Sequence, residues 1–203
     1  MSATSVETPA GFGRQVGEPR FTVYGVPWGA YVAIRDAFDR PSLRLSYLAG
    51  ALEFMSPSDL HESLKKRVAR LLEIFALERD VALYGYGSTT FRKQAKEAGL
   101  EPDECYVLGR ELDGVPDLAI EVVLTSGGVS KLEIYARLGV REVWFWTEAG
   151  FTLHALTGSS YEQVQASRLI PQLDFELLSR YVTRSDQPKA IREYRDAIRE
   201  KPE

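Results

Sequence analysis

Cysteine and histidine are almost missing from this chain: its 203 residues include one cysteine, Cys105, and two histidines. That scarcity excludes an intrachain disulfide framework and a cysteine-rich zinc site. Cys105, inside an expected strand, reads as a small hydrophobe. No apolar run approaches the roughly 18 residues that a membrane span needs. The stretch from Met1 to Pro19 has no apolar leader core, so a cytoplasmic protein without membrane attachment is expected. Neither a P-loop nor a G-x-S-x-G nucleophile elbow occurs. Positive charge is not in excess either, since the net charge is −4. Tight, purely electrostatic binding to nucleic acid is therefore disfavoured, although a local basic patch could still carry phosphate contacts. Whatever chemistry the chain performs has to come largely from carboxylates and a lysine.

The composition, 44% hydrophobic and 27% charged, is that of a soluble globular domain. Residues 1–20 read as a flexible N-terminal arm, 21–183 as one domain, and 184–203 as a charged tail, helical or frayed. Helical spacing marks Trp28 to Phe38 and, more strongly, Leu60 to Glu78, where Leu60, Leu64, Val68, Leu71, Leu72 and Phe75 share a face. Ser58 or Asp59 can cap that second helix. Period-two alternation predicts a hairpin over Arg44 to Met55, turning at Ala49-Gly50, with Leu52 and Phe54 on the returning strand. Short strands are expected at Ala82–Tyr86 and Ser88–Arg92, followed by a polar loop from Lys93 to Glu101. Further strands are expected at Asp103–Leu108 and Asp117–Leu124, then a helix from Lys131 to Leu138 stopped by Gly139. A hairpin over Val143–Trp146 and Phe151–Leu156 and a helix near Leu173–Val182 complete the reading. Strands interleaved with helices, by hairpins and crossovers, point to an α/β class.

In the strand from Asp117, Leu118, Ile120 and Val122 lie on one face, and Asp117, Ala119 and Glu121 on the other. Glu121 is thus a carboxylate in the middle of an apolar strand, a position that demands a cation, hydrogen bonds or a raised pKa. Lys131 stands ten positions on, at the start of the next helix, and Asp103 begins a neighbouring strand. If those strands pair, Asp103 and Glu121 converge with Lys131 at the rim. Two carboxylates beside an ammonium suit Mg²⁺ or Mn²⁺, which takes oxygen ligands and can activate water against a phosphodiester. A structural ion pair between Glu121 and Lys131, with Asp103 merely starting its strand, is the competing reading.

The ordered series Arg44-Leu-Ser-Tyr-Leu-Ala-Gly-Ala-Leu-Glu-Phe-Met-Ser-Pro57, His61, Glu101-Pro-Asp103, Val115-Pro-Asp-Leu-Ala-Ile-Glu-Val-Val123, Lys131-Leu-Glu-Ile-Tyr135 and Gly139-Val-Arg-Glu-Val-Trp144 resembles the bacterial Uma-type family of restriction-endonuclease-like proteins. That family is similar to the PD-(D/E)XK nucleases. The resemblance implies a restriction-endonuclease-like core, a central mixed sheet flanked by helices. It also implies a Mg²⁺-dependent (or Mn²⁺-dependent) endonuclease acting on nucleic acid, with DNA the expected partner. Asp103 would be the aspartate of the PD half and Glu121 the acid of the second half. Val123 occupies the usual lysine position, so the lysine has moved to Lys131; where many relatives carry an aspartate, this chain has Gly127. A nuclease-fold module that binds nucleic acid or a protein without cleaving it is the alternative.

Around these residues, His61 is placed at the edge of the helix face toward the sheet, as a site residue. Glu62, facing nearly opposite, reads either as an extra acid of the site or as the partner of Lys66 in an i,i+4 surface pair. Asp117 is a candidate for supporting Glu121 or a second metal. Lys65, Lys66, Arg70, Arg92 and Lys93 are candidate phosphate contacts. The aromatic hairpin offers a sheet edge for pairing, so a homodimer is expected.

Overall fold

The computed structural model describes residues 18–38, 43–125 and 127–200. The expected arm falls largely outside that range, as residues 1–17. The helices and strands build a mixed α/β structure on two sheets. In chain order these are β1 (Arg20–Val23), α1 (Trp28–Ala37), β2 (Arg44–Leu48), β3 (Ala51–Met55), α2 (Asp59–Glu78), β4 (Leu83–Gly85), β5 (Phe91–Lys93), β6 (Ala98–Leu100), β7 (Glu104–Leu108), β8 (Leu118–Val122), α3 (Lys131–Leu138), β9 (Glu142–Thr147), β10 (Gly150–Thr157), β11 (Ser160–Val164), α4 (Phe175–Val182) and α5 (Gln187–Glu200). One sheet runs β1-β3-β2-β6-β5, the other β11-β10-β9-β8-β7-β4. All pairs are antiparallel except β8–β9, which α3 joins as a crossover.

The β2–β3 hairpin turns where expected. Ala49 and Gly50 both take positive φ, 46° and 88°, as a two-residue turn matched to strand twist requires. Ser58 caps α2 by accepting from the His61 amide at 3.2 Å. The apolar stripe of α2 (Leu64, Val68, Leu71, Leu72 and Phe75) packs with Leu118, Ile120 and Val122 of β8 and with α4 and α5. The other face of β8, through Ala119, joins a second cluster with Ile134, Tyr135 and Leu138 of α3 and Phe91, Ala98 and Leu100 of the first sheet. Glu121 therefore points into the space between β8, α3 and the first sheet.

Several expectations need correction. The loop expected from Lys93 to Glu101 instead holds a short 3₁₀ turn and β6, whose Ala98 and Leu100 are fully buried. The strand expected over Ser88–Arg92 is confined to Phe91–Lys93. Strands β1 and β11 were not foreseen. The charged tail forms α5, whose Ala190, Tyr194 and Ile198 are buried and whose Arg199 pairs with Glu78 of α2 at 2.7 Å. The aromatic hairpin offers no open edge, because β11 pairs along β10 and Trp144 and Trp146 are inside. Among the described residues, no helix is long and apolar enough to cross a membrane.

Candidate active site

The β7–β8 register pairs Glu104 with Ile120 and Cys105 with Ala119. Continued by one residue, it sets Asp103 opposite Glu121. Both carboxylates are buried, Asp103 at 2% and Glu121 at 0% exposure. Asp103 locks to the neighbouring strand by accepting from the Val122 amide at 2.8 Å. Its other oxygen lies 2.9 Å from His61 Nε2. Glu121 is held from α3: Lys131 Nζ donates to Oε2 at 2.6 Å and Tyr135 Oη to Oε1 at 2.5 Å. Lys131 and Tyr135 are four apart on one helix, so both reach the same carboxylate. Ser130 caps α3, accepting from the Glu133 amide at 3.3 Å, which fixes the start of the helix and with it Lys131.

The electrostatics follow from this burial. Desolvation presses the pKa of Glu121 upward, and the neighbouring charge of Asp103 adds to that. Lys131 and Tyr135 oppose it, and the outcome is about 7. Desolvation acts on Asp103 in the same sense, yet the hydrogen bond to His61 and the charge of Lys131 outweigh it, so Asp103 lies below the usual carboxylate range. Lys131 stays charged: burial disfavours the ammonium, but Glu121, Asp103 and Glu53 raise its pKa. For His61, burial disfavours the imidazolium, while hydrogen bonds to Asp103 and to Glu18 raise its pKa to about 9. The Glu18 contact, at 2.6 Å from Nδ1, comes from the residue two before β1.

His61 gives a pH prediction. Its folded pKa exceeds the ordinary 6.5, so its contribution to stability is complete below pH 6.5 and lost as the pH rises through the folded value. The loss is on the order of 3 kcal/mol. The raised pKa of Glu121 works in the same direction at lower pH, between its ordinary 4.5 and about 7. Metal-free melting temperatures should therefore fall between pH 6.5 and 9, and His61→Gln should flatten that fall. An unchanged slope in the variant would contradict the charged histidine.

The other candidates lie elsewhere or are otherwise engaged. Asp117 sits at the far end of β8, about 13 Å from Glu121 by strand rise. It accepts from the Leu108 amide and from Arg110, both at 3.0 Å, and lies 3.4 Å from Arg141, fastening the turn after β7. It therefore does not support Glu121. The Glu62–Lys66 pair does not form. Glu62 meets Lys65 and, at 3.5 Å, Arg44, while Lys66 reaches across to Glu104 at 3.0 Å. Lys65 is buried on Glu62 and presents no free ammonium. Arg70 is exposed on α2. Arg92 is exposed on β5 and tied to Asp36 at 2.9 Å, and Lys93 is exposed beside it. These basic residues belong to two layers, α2 against one sheet and β5 at the edge of the other.

Two acids of the site were missed by the sequence reading. Glu53 of β3 is 2% exposed, accepts from the Val129 amide at 3.1 Å and acts on Lys131 through its charge. The signal was the one that revealed Glu121, an acid flanked by apolar strand residues. Glu18 carried no such signal, standing in a polar stretch.

The sequence matches the Uma2 family, described as "Putative restriction endonuclease", over residues 28–183. The chain belongs to this family. The Uma2 match spans α1 through α4 and includes Asp103, Glu121 and Lys131. A crystal structure from Anabaena variabilis, described as a "putative nuclease belonging to DUF820", is similar at 13% identity and a TM-score of 0.45, covering 68% of this chain and 90% of that one. No curated protein matches.

A family of this kind implies a divalent cation. Among the described residues, no group of three or more His, Cys, Asp or Glu side chains is set to hold one. Two carboxylates are nevertheless enough for Mg²⁺, which keeps waters and shares substrate oxygens. Asp103 and Glu121 supply hard oxygen donors, each oxygen retaining a lone pair beyond its present hydrogen bond. The donor set fits such an ion.

Proposed function

We propose that this Uma2-family chain is a Mg²⁺- or Mn²⁺-dependent endonuclease that hydrolyses phosphodiester bonds in DNA. The observation that carries this reading is the convergence of Asp103 and Glu121 from adjacent strands with the Lys131 ammonium on Glu121. Asp103 and Glu121 would hold the ion. When bound, it would supply Lewis-acid polarisation of a phosphoryl oxygen and a water of lowered pKa. The chain's own residues do the rest. Lys131, kept protonated by surrounding acids, orients the attacking water and offsets charge gathering on the phosphoryl oxygens. His61 holds Asp103 ionised, and Tyr135 fixes the rotamer of Glu121. A groove of about 350 Å³, lined in part by Thr125, Ser130 and Lys131, lies beside the ammonium that meets Glu121.

The full set of donors around both carboxylates also suits a module that binds without cleaving. Supercoiled plasmid separates the two readings. Nicking or linearisation that requires Mg²⁺ or Mn²⁺ and stops with chelator is the expected result, and retention on DNA without cleavage in either metal would overturn the nuclease reading.

A further inference from the structure

Just before Lys131 in the chain, a second set of groups grips residues 127–130, the segment leading into α3. Glu53 is almost completely buried, and its Oε2 accepts from the Val129 amide at 3.1 Å. Arg20 of β1 donates to the Gly127 carbonyl at 2.5 Å and lies 4.0 Å from Glu53 Oε2. Glycine is required between these two points. Gly128 has φ +98°, and a Cβ there would run into the Glu53 carboxylate. The next residues are Ser130, which caps α3, and Lys131 itself. One buried acid, one arginine and one glycine thus fix the backbone one to four residues before the ammonium that meets Glu121. Arg20 precedes the segment that matches the Uma2 family. Nothing in the acid pair itself needs Glu53, because Asp103 and Glu121 are held by His61, Val122, Tyr135 and Lys131.

We propose that Glu53 and Arg20 form a clamp on residues 127–130 that sets the position of Lys131, making both of them positioning residues for the cleavage proposed above, on which this inference rests. The clamp carries no part of the reaction itself. Its effect is geometric: a reacting group displaced by about 1 Å loses roughly 10²-fold in rate.

Two variants approach the clamp from its two sides. Glu53→Ala removes the acceptor, and Gly128→Ala pushes the loop off it while leaving Glu53 in place. Each should lower kcat per folded molecule about 10- to 100-fold with KM changed only a few-fold. Each should also speed hydrogen exchange at the Val129 amide. Glu53→Gln, which keeps an oxygen for that amide, should recover part of both losses. A role confined to stability predicts lower melting temperatures with unchanged kcat and unchanged exchange at Val129. That outcome in both alanine variants would overturn the clamp. If the unaltered protein cleaves nothing, the nuclease reading fails by itself. Exchange at Val129 and the adjoining α3 amides then still decides whether the clamp exists.

Discussion

Lys131→Met should slow metal-dependent cleavage by about 10²–10³-fold, the equivalent of about 2.7–4 kcal/mol of lost transition-state stabilisation. The variant should also be less stable. Lys131 Nζ is 2.6 Å from a carboxylate with no exposure to solvent, and removing one partner of a buried pair costs about 3–5 kcal/mol. Glu121 can escape part of that cost by taking up a proton, since its pKa already stands at about 7. A structural ion pair and a functional lysine therefore predict the same loss of stability and differ only in rate. The double variant Lys131→Met/Glu121→Gln, which also removes an ion ligand, isolates the stability effect, and the rate of the single variant separates the two. A neutral amide no longer needs the ammonium, and Tyr135 can still donate to its oxygen, so the melting temperature should return most of the way. Cleavage should not return. If cleavage by Lys131→Met, corrected for folded fraction, equals that of the unaltered protein, the lysine is structural.

Asp103→Asn should be more severe for activity and milder for the fold. The amide keeps an oxygen for the Val122 amide, so the β7–β8 register survives. It loses the charge that would hold the ion, and metal assistance is worth several kcal/mol, about 10³-fold or more in rate. His61 meanwhile loses one of the two acids that raise its pKa. The fall of stability between pH 6.5 and 9 should therefore shrink in this variant, an effect visible without substrate. Retained cleavage in Asp103→Asn would remove this residue from the site.

The acid pair was legible because its strand was. Leu118, Ile120 and Val122 alternate with Ala119 and Glu121, and that pattern alone places a carboxylate on an inner face. Lys131 was legible from its place ten residues after Glu121, at the start of a helix that Gly139 stops. What stayed hidden depends on pairing between distant segments. β6 is only Ala-Gly-Leu, too short for any period, and becomes a strand because β2 and β5 pair with it on both sides. Glu53 stayed hidden because alternation alone sets it on the face of β3 opposite Leu52 and Phe54. In the structure both faces of that strand are partly covered, and Glu53 is more buried than Phe54. Glu62 and Lys66 obey helical spacing, yet Arg44 and Glu104, 18 and 38 residues away, compete for them with better-placed charges. Local periodicity cannot reveal such partners.

Metal titration followed by NMR of the side-chain carboxyl and lysine ammonium signals tests the account at its centre. With Mg²⁺, and with Mn²⁺ as a paramagnetic probe, Asp103 and Glu121 should respond together at one saturable site. The Lys131 ammonium should shift with them, and the response should vanish in Asp103→Asn. A titration that leaves Asp103 and Glu121 unmoved, or a metal response that persists unchanged in Asp103→Asn, would contradict the site.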